Sequence, residues 1–483
     1  MYKKTLSSMC IVISIAISGC GSSGSKTVEE PQQPPPAADE YIGYWQQAGY
    51  GKYLEISVDQ VIQYEASNDT CIQTHSVVRG EFPSEFNWTI KSFTDQQFLA
   101  SENNASTSEL TLDRVNALPL SCNNLLTNTP SNVVTHLIAM ASENYAFFEL
   151  RNINWQEASE QALARVNDDM TEEQLKSVLH ELMSVFNDKH VLLHSKPLDF
   201  FEPEISIDDI TFFGQSNDFT NQVISEYEEL SSESSLEDYY YSQIITYYTN
   251  INNIMDSGLK AKGGQDEDKI MWGTIGNNIG YLHIGELDNF DPSQPYTLDE
   301  GNVVAHLAAL NAVLDEAITD LQNTNGIILD IRMHSGGTTS LDRAVAQRFI
   351  EQEINYGSFA VINEEPKPLI LTPYDGIRLA QQTVLITSNF VQSSGEDMVI
   401  ALKADDDILQ VGEATLGTLS DMLFLSLPNQ WAFTLSNQVW LDKNGKSWES
   451  IGITPEHEVD VFPLSDRQQE IDSAINKALE LLN

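Results

Sequence analysis

Basic residues are scarce in this chain. Across 483 residues, 25 Lys and Arg stand against 71 Asp and Glu, for a formal net charge of −46. Binding a phosphate backbone needs clustered Lys and Arg, so nucleic acid is argued against as a partner. The acidic excess by itself reads as solubility and names no partner. Cysteine is scarce as well. The four present include no CxxC pair and no accompanying His cluster, which argues against a metal centre. No internal repeat is visible. What the chain does have is hydrophobic content of 41%, enough to bury cores, and a length that suggests two or three domains.

The N-terminus carries a processing signal. "MYKK" supplies positive charge, "MCIVISIAI" an apolar core and "SGC" a small-residue cleavage site. The apolar run is too short for a good membrane span. Ile17, Ser18, Gly19 and Cys20 resemble a bacterial lipobox. That resemblance implies a signal peptide over 1–19 and lipid on Cys20. Gly21 rather than Asp follows, which in a Gram-negative cell implies the outer membrane, facing periplasm or exterior. Residues 20–40, rich in Gly, Ser, Pro and Glu, read as a flexible tether. With Cys10 in the signal and Cys20 as the lipid site, Cys71 and Cys122 remain as an even pair in an oxidising compartment. A disulfide between them is expected.

The rest divides by pattern. Residues 41–128 are rich in aromatic and β-branched residues with partial alternation, which predicts a small β domain. Residues 131–194 show apolar positions at helical spacing, with a helix start expected at Thr171 and Glu173, and end in "NDKHVLLHS". Residues 195–271 are acidic and Tyr-rich, and read as a helical or loop insertion or a lid. From 272 to 483, short apolar runs such as "GIILDIR" and "TVLITS" alternate with amphipathic helices. This pattern predicts an α/β layer with buried strands. "MLFLSLPNQWAFTLSNQVWL" reads as a hairpin or meander.

One junction carries chemistry. In "VLITSNFVQSSGEDMVIALKA" a buried strand meets a helix at Ser393, Ser394 and Gly395. A serine there fits two roles. It is a helix cap, or it is a nucleophile at the positive end of a helix dipole. A nucleophilic serine also needs a base, a group that orients the base, and oxyanion donors. Gly336 and Gly337 follow the strand in "DIRMHSGGTTS", and the amide of Ser394 follows the serine itself. Nine histidines leave the base open. His190 follows a helix in a turn, whereas His306 reads as structural.

Four stretches in order then resemble the serine peptidases that include the carboxyl-terminal processing proteases, the tricorn core protease and interphotoreceptor retinoid-binding protein. "NDKHVLL" is similar to D-G-H-x-x-L, with Lys189 where Gly is usual. "GIILDIRMHSGG" resembles G-L-I-L-D-L-R-x-N-G-G-G, with His334 and Ser335 replacing Asn and Gly. "VQSSGE" resembles T-A-S-A-x-E. "VGEATLGTL" through "ESIGITPE" resembles the closing segment. The resemblance implies an α/β, crotonase-like core of spiral ββα units with an N-terminal helical segment; no PDZ domain is evident. The processing proteases use a lysine base, but Thr418 stands at that position here. The tricorn-like branch uses Ser, His and Glu, which map to Ser393, His190 and Glu449. It implies a lipid-anchored serine endopeptidase acting on peptides or proteins. Ser393 is then the nucleophile, His190 the base and Glu449 its orienting group, with Gly336 or Gly337 and Ser394 as oxyanion donors and no cofactor. The retinoid-binding relative supplies the alternative, a non-catalytic binding protein on the same fold.

Overall fold

The computed structural model describes residues 38–86, 88–102, 109–195, 210–212, 218–229, 235–265, 267–293, 300–362 and 364–483. The signal peptide, Cys20, most of the tether and residues 196–209 of the acidic segment lie outside the described residues.

The chain opens with β1 (Gly43–Gln47), β2 (Lys52–Ile56), β3 (Gln60–Ala66), β4 (Cys71–Val78), β5 (Trp88–Phe93), β6 (Gln97–Glu102) and β7 (Glu109–Val115). They form one antiparallel sheet in the order β4-β3-β2-β1-β7-β6-β5. Its core is aromatic, with Tyr41, Trp45, Phe82 and Phe98 packed together. Cys71 and Cys122 are joined in a disulfide. This cross-link ties the start of β4 to the segment that leaves the sheet, and it restricts the unfolded chain.

Three capped helices follow: α1 (Pro130–Asn144), α2 (Trp155–Arg165) and α3 (Glu172–Met183). Thr171 begins α3 through a capping box, but its reciprocal partner is Gln174 rather than Glu173. Next come β8 (Leu192–His194), β9 (Ile210–Phe212), α4 (Asp218–Glu229), α5 (Leu236–Ile254), β10 (Lys260–Lys262), β11 (Ile270–Ile275), β12 (Ile279–Ile284), α6 (Glu300–Leu321), β13 (Ile327–Asp330) and α7 (Thr339–Ala346). The chain continues through β14 (Ile354–Val361), β15 (Lys367–Leu371), β16 (Thr383–Thr387), α8 (Ser394–Leu402), β17 (Leu409–Gly412), β18 (Met422–Ser426), β19 (Ala432–Ser436), β20 (Gln438–Asp442), β21 (His457–Glu458), α9 (Leu464–Gln469) and α10 (Ser473–Leu482).

The central sheet runs β10-β11-β12-β13-β16-β17-β21 and is parallel from β12 onward. Its middle strands read as unbroken apolar runs because both faces are covered. Ile327, Leu329 and Leu385 pack with Leu310, Leu314, Leu341 and Val399 of α6, α7 and α8. Ile328, Val384 and Ile386 pack on the other face with Ile244 and Tyr247 of α5 and with Ile475 and Ala478 of α10. This is the α/β architecture expected from the alternation. The described helices of the acidic segment, α4 and α5, are therefore a wall of this core. Their buried apolar residues, Phe219, Val223, Ile244, Tyr247 and Ile251, are spent on the sheet.

Of the hairpin or meander expected in "MLFLSLPNQWAFTLSNQVWL", the hairpin is found and the meander is not. β18 and β19 form a hairpin, and β19 continues to β8 and β9. β20 pairs instead with β14 of a separate three-stranded sheet. Asn437 alone separates β19 from β20. One residue is too short for a hairpin turn, so the chain crosses between sheets there. The N-terminal sheet buttresses this region. Glu65 accepts from the amide of Ser426 at 2.5 Å, and the Asn437 side-chain amide donates to the Gly49 carbonyl at 3.2 Å.

Candidate active site

Ser393 sits where β16 hands over to α8, with φ +55° and ψ −130°. A non-glycine residue in that region is strained by about 1–3 kcal/mol and persists only where its surroundings hold it. Its side chain makes no capping bond to the helix. Of the two roles that fit the junction, capping is thus not the one observed. Ser393 is partly exposed, whereas Ser394 is buried and turns its hydroxyl away to the Gly337 carbonyl at 3.1 Å.

The turn after β13 lies directly against this serine. A Cβ placed on Gly336 would stand 2.9 Å from the Gln392 carbonyl oxygen and 3.1 Å from Ser393 Cβ. One on Gly337 would instead meet the backbone of Leu287 at 2.8 Å. Gly336 is therefore the glycine beside the nucleophile, and its φ of +98° suits no other residue well. Among the described residues, neither the Gly336 amide nor the Ser394 amide donates to a protein acceptor. The substitutions in this loop have a packing partner. His334 takes the usual Asn position, donates through Nε2 to Asp342 Oδ1 at 2.7 Å, and lies 3.0 Å from where a Cβ on Gly395 would be. Gly395, at the unspecified position of the family pattern, therefore leaves room for the His334 ring. Below the turn, Arg332 is fully buried and ion-paired with Asp330 at 2.6 Å and Asp472 at 2.8 Å, which anchors the strand end to α10.

His190 lies in the turn before β8, and one loop, 415–420, contacts both it and the serine. The Ser393 amide donates to the Thr418 carbonyl at 3.0 Å. Two residues on, the Ser420 carbonyl contacts His190 Nδ1. A carbonyl only accepts, so Nδ1 carries the proton and Nε2 keeps its lone pair. Burial lowers the His190 pKa, which favours the neutral ring. Its backbone is clamped too: the amide donates to Asp188 at 2.9 Å, and the carbonyl accepts from Thr434 Oγ1 at 2.6 Å.

The orienting group is placed differently from expectation. Glu449 makes no hydrogen bond to His190, because the Ser420 carbonyl occupies Nδ1. Glu449 Oε2 accepts instead from the amides of Leu419 at 2.9 Å and Ser420 at 3.1 Å, and Oε1 accepts from Arg151 at 2.8 Å. It acts on His190 through the peptide of Ser420. Burial, followed by the nearby Asp188 charge, pushes its pKa up to about 8, with Arg151 opposing. A second buried carboxylate holds the same loop. Glu396 accepts from Thr415 Oγ1 at 2.5 Å, the Gly417 amide at 2.8 Å and the Thr418 amide at 2.7 Å. Burial raises its pKa to about 7 against those bonds. Lys403 lies at the far end of α8, paired with Glu456 at 2.5 Å, so it is no base for Ser393.

Arg151, Tyr145 and Ser420 were not singled out in the sequence. Tyr145 donates to Asp188 at 2.9 Å, and Arg151 joins Asp188, at 3.5 Å, to Glu449. Arg151 and Glu449 are 298 positions apart. No local pattern marks such a pair, although "ND" before His190 pointed at Asp188.

A strained serine at a helix start, a buried histidine and amides without a protein acceptor beside the serine are the parts that a serine hydrolase site on an α/β sheet requires. Residues 278–459, under half of the chain, match the model of Peptidase family S41, which supports a serine peptidase. The matched stretch contains Ser393, Glu449 and the Gly336 turn but not His190. Among solved structures, a candidate peptidase from Parabacteroides merdae ATCC 43184 is 20% identical, covers 74% of this chain and 97% of its own, and superposes with a TM-score of 0.53, which shows a common fold. Mature CPAF in complex with lactacystin is 11% identical over 73% of this chain and 97% of its own (TM-score 0.49). The photosystem II D1 C-terminal processing protease is 13% identical over 69% and 94% (TM-score 0.40). No curated protein matches the chain.

Proposed function

We propose that this protein is a lipid-anchored serine endopeptidase of the cell envelope that uses Ser393 as nucleophile and His190 as base. The observation that carries the reading is the 415–420 loop, which holds the Ser393 amide and His190 Nδ1 two carbonyls apart. His190 Nε2 takes the Ser393 hydroxyl proton as Oγ attacks the substrate carbonyl carbon. The amides of Gly336 and Ser394 receive the resulting oxyanion, helped by the positive end of α8. The tetrahedral species collapses with cleavage of the C–N bond, and His190 returns the proton to the departing amine. Water, deprotonated by the same ring, then releases the acyl group and restores the serine. Glu449 and Arg151 hold the Ser420 peptide against His190, so that its protonated form keeps an acceptor at Nδ1. The substrate is a peptide or protein, and every step uses side chains and amides of this chain.

A fluorophosphonate should modify the folded protein, and peptide mapping should place the adduct on Ser393. An adduct on Ser394, or none on folded protein, overturns the assignment. For the anchor, motivated by "ISGC" and the tether, mass spectrometry of the mature protein should find an N-terminal, lipid-bearing Cys20. An unmodified N-terminus downstream of it counts against anchoring.

A further inference from the structure

The chain leaving β12 passes beside the oxyanion turn. Leu287 bridges Gly337, and the Thr338 amide donates to the Leu287 carbonyl at 3.2 Å. This places Glu286 next to Ser335, whose hydroxyl donates to Glu286 Oε1 at 2.8 Å. Ser335 directly precedes Gly336, so this carboxylate stands on the lip of the site. Glu286, Ser335, Gln392 and Ser393 are all partly exposed, which makes that lip accessible.

Glu286 has no direct ion-pair partner among the described residues, and nearby Lys269 is held by the Asp288 carboxylate at 2.6 Å and the Asp288 carbonyl at 2.9 Å. Burial and then the Asp288 charge push its pKa up, with Lys269, the Ser335 hydrogen bond and His334 opposing, and its charge contributes to the raised pKa of Tyr240 and Tyr248 on α5. A carboxylate on the lip of the cleft with no direct ion-pair partner is a site for an ammonium or guanidinium group, which gains a charge-assisted hydrogen bond. The acidic whole-chain charge of −46 raises the local concentration of cationic peptides in the same direction.

We infer that Glu286 selects substrates with a Lys or Arg side chain close to the scissile bond. This rests on the peptidase reading above. The test is digestion of an unfolded protein mixture by the intact protein, with cleavage sites read by mass spectrometry, followed by kcat/KM for matched Arg and norleucine peptides. Lys or Arg should be enriched near the cleaved bonds. Glu286→Gln keeps an acceptor for Ser335 but loses the charge, so the Arg-to-norleucine ratio should fall about tenfold to a hundredfold. Glu286→Lys should move the preference toward Asp and Glu. Ser393-dependent cleavage without a basic preference, or with the same ratio in Glu286→Gln, overturns this inference and leaves the peptidase standing. Neither cleavage nor fluorophosphonate labelling of the folded protein overturns the peptidase reading, and this inference with it.

Discussion

Ser393→Ala and His190→Ala should each reduce peptide hydrolysis by on the order of a thousandfold or more, and the double variant should be no worse than the poorer single one. The reason is that the hydroxyl and the ring perform one proton transfer, so removing either removes the whole step. Steady-state turnover of all three variants, with folding verified by circular dichroism, measures this. Additive losses would show that His190 acts independently of Ser393. Glu449→Gln should cost less than His190→Ala, because Glu449 touches the Ser420 amide and not the ring. A lysine-base mechanism is tested in the same series. Lys403→Met should retain turnover, since its ammonium is committed to Glu456 at the opposite end of α8.

Glu396→Ala should have the largest effect on stability. The change strands three buried donors, from Thr415, Gly417 and Thr418, that now meet one carboxylate. Leaving buried donors unmet costs about 1–3 kcal/mol each, partly offset by no longer burying an acid, so a loss on the order of 3–5 kcal/mol is expected at pH 5. Activity should fall on the order of a hundredfold, because the loop that spaces Ser393 and His190 loses its support. The pH dependence has a definite sign. The Glu396 pKa is raised in the fold from 4.5 to about 7. Its stabilising contribution is therefore complete below pH 4.5 and is lost as pH rises through 7. The gap between wild type and Glu396→Ala, read by denaturant midpoints, should narrow from pH 5 to pH 8. A gap that widens over that range would mean that the ionised carboxylate is the form the fold stabilises.

Local pattern carried much of this protein. The buried runs Ile327–Asp330 and Thr383–Thr387 announced strands covered on both faces, since a strand with no solvent side has no polar period. Ser393 at a strand-to-helix junction was legible for a similar reason: a short polar turn between two apolar elements has few uses. The arrangement of the site was not legible. Which glycine faces Ser393 depends on the φ values of a turn and on Leu287, which lies on the segment after β12. The role of α4 and α5 as core wall depends on which sheet face they meet, and an amphipathic pattern names a buried face without naming its partner. Glu449 stood in the sequence as the group that orients His190. Its contact passes instead through the Ser420 peptide and Arg151, because side chains hundreds of positions apart meet only where packing brings them, and hydrogen-bond geometry then decides which acceptor takes the imidazole proton.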